Sequence, residues 1–200
     1  IGTNVGIGSQ GIVMFGSEAQ KNEWLPKLAS GEMVASFALT EPGAGSDAAS
    51  VKTTALRDGS DYVVNGTKRF ITNAARAGMF TLLARTDASK KGAGGISAFI
   101  VPAKTPGITI GKSEKKMGQQ GAHISDVIFE NARVPESLRL GKEGEGFKVA
   151  MQVLDRGRLH ISAVCVGVAE RLIREAVNYA REREQFGQKI AEFQLIQGML

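Results

Sequence analysis

The chain has 200 residues, a formal net charge of +5, 42% hydrophobic and 22% charged residues, a balance that marks a globular protein rather than a disordered one. No apolar run approaches the ~20 residues of a membrane span, no secretory signal opens the chain, and no Lys/Arg block suggests nucleic acid. A single cysteine, Cys165, excludes an internal disulfide framework, and two isolated histidines argue against a metal site, while the mild positive charge favours anionic small molecules such as phosphorylated cofactors.

From Ile1 to about Met33 a Gly-rich start precedes Ser17-Glu18-Ala19-Gln20, where Ser17 is the expected N-cap of a short helix that closes around Pro26, Leu28 and Gly31. From Val34 to Gly141 the hydrophobic period is two. Strands are predicted near Val34–Thr40, Val51–Leu56, Tyr62–Val64, Lys68–Thr72, Phe80–Arg85, Ile96–Val101 and Val127–Phe129, with Asp58-Gly59 and Asn65-Gly66 as hairpin signals. Short strands at such spacing predict a compact β-barrel or sandwich. From Gly144 the period becomes helical: Phe147, Ala150, Met151 and Leu154 form one stripe, and Leu159, Ala163, Val166, Ala169, Ile173 and Val177 another. Glu170/Arg174 and Arg171/Glu175 are spaced to brace a solvated face. The chain opens on Ile1 and stops within the apolar-periodic run Phe193–Leu200, the expected look of a piece of a longer protein.

Two segments carry chemistry. Phe37-Ala38-Leu39-Thr40-Glu41-Pro42-Gly43-Ala44-Gly45-Ser46-Asp47 is a strand that breaks into a turn; Pro42 removes a donor, and Gly43 and Gly45 allow positive φ and close approach of a ligand to backbone N–H groups. Lys68-Arg69-Phe70-Ile71-Thr72-Asn73 repeats the design. Gly43–Ala48 also satisfies the G-x-G-x-x-A dinucleotide fingerprint, but short β-branched runs follow where that fingerprint requires a helix, so the Rossmann reading fails. Further on, Arg183, Gln185 and Phe186 combine a guanidinium, an amide and an aromatic ring at a helix end, a set suited to stacking on a heterocycle and bridging a phosphate.

These segments, with Asn65-Gly66-x-Lys68, Thr105-Pro106-Gly107-Ile108, Met117-Gly118, Phe129-Glu130-x-x-x-Val134-Pro135, Gly144-x-Gly146-Phe147 and Arg183-x-Gln185-Phe186-Gly187, occur in an order that resembles the middle of an acyl-CoA dehydrogenase. The resemblance implies an α+β multidomain fold: the end of an N-terminal helical domain (1–33), a complete central β-barrel or sandwich domain (34–141), and about two helices of a C-terminal four-helix bundle (142–200).

It also implies roles. Phe37, Leu39, Thr40, Gly45 and Ser46 match the segment that lines the isoalloxazine of FAD and reaches its pyrophosphate, with Thr40 bonding the ring edge. Phe70, Ile71 and Thr72 match the second wall, Thr72 at flavin N5; Phe70 stands where many relatives have Trp. Arg183, Gln185, Phe186, Phe193 and Gln194 match residues that grip the ADP half of the FAD held mainly by a neighbouring subunit, which implies a homo-oligomer, a dimer or tetramer. Ser46, Asp155 and Arg158 match contacts to the acyl-CoA; a helix-end carboxylate paired with Arg156 or Arg158 is an equal reading of Asp155.

The activity implied is α,β-desaturation of an acyl-CoA to the trans-2-enoyl-CoA, as in fatty acid β-oxidation, with electron-transfer flavoprotein as the electron acceptor, in a bacterial cytoplasm or mitochondrial matrix. Such a reaction needs a carboxylate base. In much of the family it lies beyond the position of Leu200, and in a minority immediately before the arginine matched by Arg158, where this chain has Gly157. No catalytic base is assigned. An acyl-CoA oxidase, a DNA-associated or nitroalkane-oxidising relative, and a non-enzymatic β-barrel interaction module remain open alternatives at this level.

Overall fold

The computed structural model describes residues 2–200. Two compact units are distinguished, one ending at Gly157 and the other Arg158–Leu200.

In the first unit the Gly-rich start is itself helical, leading into α1 (Ser9–Phe15), and α2 follows at Glu18–Ser30. The sequence signal for α2 is reciprocal: Gln20 N–H donates to Ser17 Oγ, and Ser17 N–H donates to Gln20 Oε1 at 2.9 Å. The helix runs through Pro26 and ends, as expected, at Gly31, which is left-handed.

Eight strands then form one sheet: β1 (Ala35–Ala38), β2 (Thr54–Asp58), β3 (Asp61–Thr72), β4 (Met79–Arg85), β5 (Ile96–Pro102), β6 (Ile108–Ile110), β7 (Ile124–Pro135) and β8 (Arg139–Leu140). The order is β6-β7-β3-β2-β4-β5-β8, with β1 parallel to β4. Two predicted strands, Tyr62–Val64 and Lys68–Thr72, are one strand of 12 residues, and β6 and β8 were not predicted. Asp58-Gly59 does turn the β2–β3 hairpin. Asn65-Gly66 does not turn; it sits in a bulge of β3, where Asn65 Oδ1 accepts the Asn131 N–H of β7 at 2.8 Å.

The sheet buries both faces. Met79, Leu83, Ile96, Ala98 and Ile100 face Ile12, Trp24 and Leu28 of the two helices, whereas Phe80, Leu82, Phe99 and Val101 join Tyr62, Val64, Val127 and Phe129. Tyr62 of β3 and Phe99 of β5 have two strands, β2 and β4, between them in the sheet, yet their ring centroids are 4.9 Å apart. The sheet therefore folds over on itself around this second core, a barrel-like interior flanked by helices.

After β8 the chain enters α3 (Gly146–Glu182), one helix of 37 residues that carries both of the expected apolar stripes. Its first turns, through Val149, Ala150 and Val153, complete the helix-side core. In the second unit, the later part of α3 is followed by a hairpin of β9 (Glu184–Gln185) and β10 (Gln188–Lys189) and by α4 (Gln194–Met199). Arg171 and Glu175 pair at 2.6 Å, while the expected Glu170–Arg174 pair does not form among the described residues. Among those residues no helix is long and apolar enough to cross a membrane, and no three His, Cys, Asp or Glu side chains group to hold a metal ion.

Candidate functional site

The two singled-out segments lie side by side. Beyond β1 the chain passes alongside the end of β3: Ser36 Oγ donates to Thr72 O at 2.7 Å, the Arg69 N–H donates to Thr40 O at 2.7 Å, and Lys68 Nζ donates to Leu39 O at 2.9 Å. The turn after Thr40 closes on itself, with the Glu41 N–H donating to Ala44 O at 2.9 Å and the Ala44 N–H returning to Glu41 O at 3.2 Å.

Neither Gly43 nor Gly45 has positive φ, which corrects the expected reason for those glycines. A Cβ built on either meets nothing within 4 Å. Among the described residues nothing therefore requires glycine there, and Gly43, Gly45 and Ser46 are exposed and open to close approach by a ligand. Thr40 spends its carbonyl on Arg69, but its N–H and hydroxyl have no hydrogen-bond partner among the described residues. These unspent donors and the open glycine backbone fit a polar heterocycle with an attached pyrophosphate.

Opposite them, β3 changes face. Residues of even number, Tyr62, Val64 and Lys68, point inward until a register shift between Lys68 and Ile71 inverts the alternation, so that Ile71 is buried and Phe70 is turned out. Phe70 adopts φ 57° and is 57% exposed, with the Arg69 guanidinium 5.2 Å from its ring centre. A bulky residue held in the left-handed region with its ring in solvent is a costly arrangement that points to a role outside the fold. The side chains of Phe37 and Leu39 pack into the helix-side core, and that of Ile71 into the sheet interior.

One pair that sequence reasoning did not select organises this region. Glu41 is buried and accepts from the Lys52 N–H at 2.6 Å, the Thr53 N–H at 2.9 Å and Lys68 Nζ at 2.8 Å. Lys68 is wholly buried. Burial raises the carboxyl's pKa, but the Lys68 charge and the backbone donors outweigh it, so Glu41 stays below the usual carboxylate range. Burial pulls Lys68 down to about 8 despite Glu41. A signal was available: Lys68 occupies an inward position of the β3 alternation, where a lysine needs a partner.

The remaining predicted residues are at other places. Asp155 lies in mid-helix in the first unit, exposed, so its reading as a helix-end carboxylate is overturned; Arg156 donates to Gln10 Oε1 at 3.3 Å instead of pairing with it. A Cβ on Gly157 would lie 2.8 Å from Ile7 Cγ2, so its smallness serves helix packing. Arg158 begins the second unit and is exposed. Within that unit, Phe186 (φ 56°) and Gly187 (φ 77°) make the tight β9–β10 turn, the geometry of a type I′ hairpin. Phe186 is 95% exposed, its ring centre 6.3 Å from that of Phe193, and Arg183, Gln185 and Gln194 are exposed beside them in the chain.

Three models of known protein families match the chain: the N-terminal domain of acyl-CoA dehydrogenase over 1–32, its middle domain over 36–132 and its C-terminal domain over 144–200. An acyl-CoA dehydrogenase of Bacillus subtilis (strain 168) is 47% identical over 191 residues, 96% of this chain and 50% of that protein. Butyryl-CoA dehydrogenase from Megasphaera elsdenii superposes with a TM-score of 0.94 at 41% identity, covering 98% of this chain and 51% of that one. An acyl-CoA dehydrogenase complexed with FAD from Bacillus anthracis superposes with a TM-score of 0.91 at 44% identity, over 98% of this chain and 33% of that one. The chain spans about half the length of the curated relatives it matches.

Proposed function

Because the chain belongs to the acyl-CoA dehydrogenase family, we propose that the protein carrying it oxidises the Cα–Cβ bond of an acyl-CoA thioester to the trans-2-enoyl-CoA, with FAD as cofactor. The observation that carries this reading is the juxtaposition of Thr40–Ser46 with Lys68–Thr72, with unspent donors at Thr40 and glycine backbone open beside them. Bound FAD would supply the two-electron acceptor.

This chain's residues then hold and orient. Thr40 and Thr72 bond the edge of the ring system, Phe70 packs against it, and the Gly43–Ser46 backbone receives phosphate oxygens. Arg183, Gln185, Phe186, Phe193 and Gln194 take the ADP half of a cofactor bound mainly by another subunit of a homo-oligomer. Ser46, Asp155 and Arg158 contact the acyl-CoA. No base is assigned, since Gly157 has no side chain to act as one. We also place electron-transfer flavoprotein as the acceptor, and the central domain at 34–141 between helical segments 1–33 and 142–200. The compartment is a bacterial cytoplasm or a mitochondrial matrix.

The test is spectroscopic. The complete protein, reconstituted with FAD, should show a protein-bound flavin spectrum that acyl-CoA bleaches without oxygen. A protein that binds no flavin, or bound flavin that no saturated acyl-CoA reduces, overturns the reading.

A further inference from the structure

Three backbone segments meet at one buried ion pair: the strand exit Leu39–Glu41, the entry to β2 at Lys52–Thr53, and β3 at Lys68. Lys68 Nζ reaches both Leu39 O at 2.9 Å and Glu41 Oε1 at 2.8 Å, so it grips the residues on either side of Thr40. The Arg69 N–H holds Thr40 O from the same strand. The carbonyls flanking the Thr40 N–H are thus both engaged, and its carboxylate neighbour is tied to two backbone donors at the far side of the turn.

We propose that Lys68 and Glu41 are positioning residues, which fix the Leu39–Ala44 turn before any ligand binds so that the Thr40 N–H and hydroxyl face the cofactor. This inference rests on the flavin reading above. Its chemistry follows from cost. A buried ammonium and a buried carboxylate are expensive to desolvate, and an apolar pair of similar volume would serve stability as well or better. The four hydrogen bonds the pair makes all end on the turn or on the segment that braces it. An ion pair so placed supplies geometry that an apolar pair could not, because it binds backbone atoms at fixed directions.

The experiment uses the complete FAD-loaded protein and three variants, Lys68→Met, Glu41→Gln and Val134→Ala. Val134 is fully buried in the sheet interior opposite Tyr62, at the other end of β3 from Lys68, so Val134→Ala reports what lost stability alone does. Lys68→Met should weaken FAD binding by roughly 10- to 100-fold, the scale of a misplaced contact, and should shift the visible flavin band. Glu41→Gln should do so to a smaller degree. Val134→Ala should keep both the affinity and the band of the unmodified protein. Lys68→Met with unaltered affinity and band, or Val134→Ala with the same losses, overturns the proposal. Should a variant fail to fold, hydrogen exchange in the unmodified apoprotein decides: the Lys52 and Thr53 amides should be as protected without FAD as with it. Amides that become protected only on FAD addition show a turn ordered by its ligand and overturn the proposal. An unmodified protein that takes up no FAD in the first place counts against the flavin reading itself.

Discussion

A Cβ built on Gly66 would fall 2.7 Å from Thr53 Cα, on a residue whose φ is +146°. The same atom built on Gly45 would touch nothing, and Gly45 has an ordinary φ. The first glycine is dictated by the fold, because backbone passes where a side chain would be and an L-residue rarely adopts that conformation. The second is not. Gly66→Ala should therefore destabilise the protein by about 2 kcal/mol or more, overpacking and backbone strain acting together. Gly45→Ala should change stability by no more than about 0.5 kcal/mol, as an exposed substitution without strain, yet weaken FAD retention. Urea unfolding and flavin release on dialysis give the two readings. Gly45→Ala with unaltered flavin retention would remove the turn from the cofactor.

At the scale of elements, β3 and the turn it braces set an acid limit. Glu41 has a folded pKa below its unfolded 4.5, so its contribution to stability is complete above that pH and lost as the pH falls through the folded value. Lys68 acts oppositely. Its folded pKa of about 8 lies below the unfolded 10.5, so between these values the unfolded chain holds more protons and this group's contribution to stability rises with pH. Glu41→Gln should flatten the fall in urea midpoint below pH 4.5, leaving the smaller share of half-buried surface carboxylates such as Asp87 and Glu136, whose pKa values are also lowered. An unchanged acid slope would mean that the pair contributes no linkage. The same strand marks where sequence reading ends. Ser17 and Gln20 announce α2 because their cap is local. Asn65-Gly66 imitates a hairpin turn, but pairing with β7, some 65 residues away, makes it a bulge, and nothing near it in the chain carries that information. Gly157 costs a helix about 1 kcal/mol, too little to break a run of 37 residues. The two segments proposed to face the flavin were legible as motifs; the Lys68–Glu41 pair beneath them became visible only when the alternation of β3 was joined to the turn.

Across the whole chain, apolar burial is uneven. The sheet and its helices bury Phe80, Leu82, Phe99, Ile100 and Val127 completely, whereas within Arg158–Leu200 the residues Leu159, Ile161, Val166, Val168, Leu172, Ile173, Leu195 and Met199 are all exposed, Leu195 to 82%. A helix with that much open apolar surface draws little stability from packing and depends on its own propensity, which is marginal in water. The proposed contacts to the ADP half, Arg183, Gln185, Phe186, Phe193 and Gln194, all belong to this second unit. The 200-residue chain made by itself should thus behave as two regions. Amides of β3, β4, β5 and β7 should exchange slowly, and those of 158–182 faster by about 100-fold or more, since local opening follows the density of buried contacts. It should hold FAD poorly and turn over no acyl-CoA with an artificial acceptor, because the proposed contacts to one half of the cofactor sit on a weakly packed element and no base is assigned among these residues. Uniform protection along α3, or measurable turnover, would show that this chain alone assembles the site and that the second unit needs no covering partner.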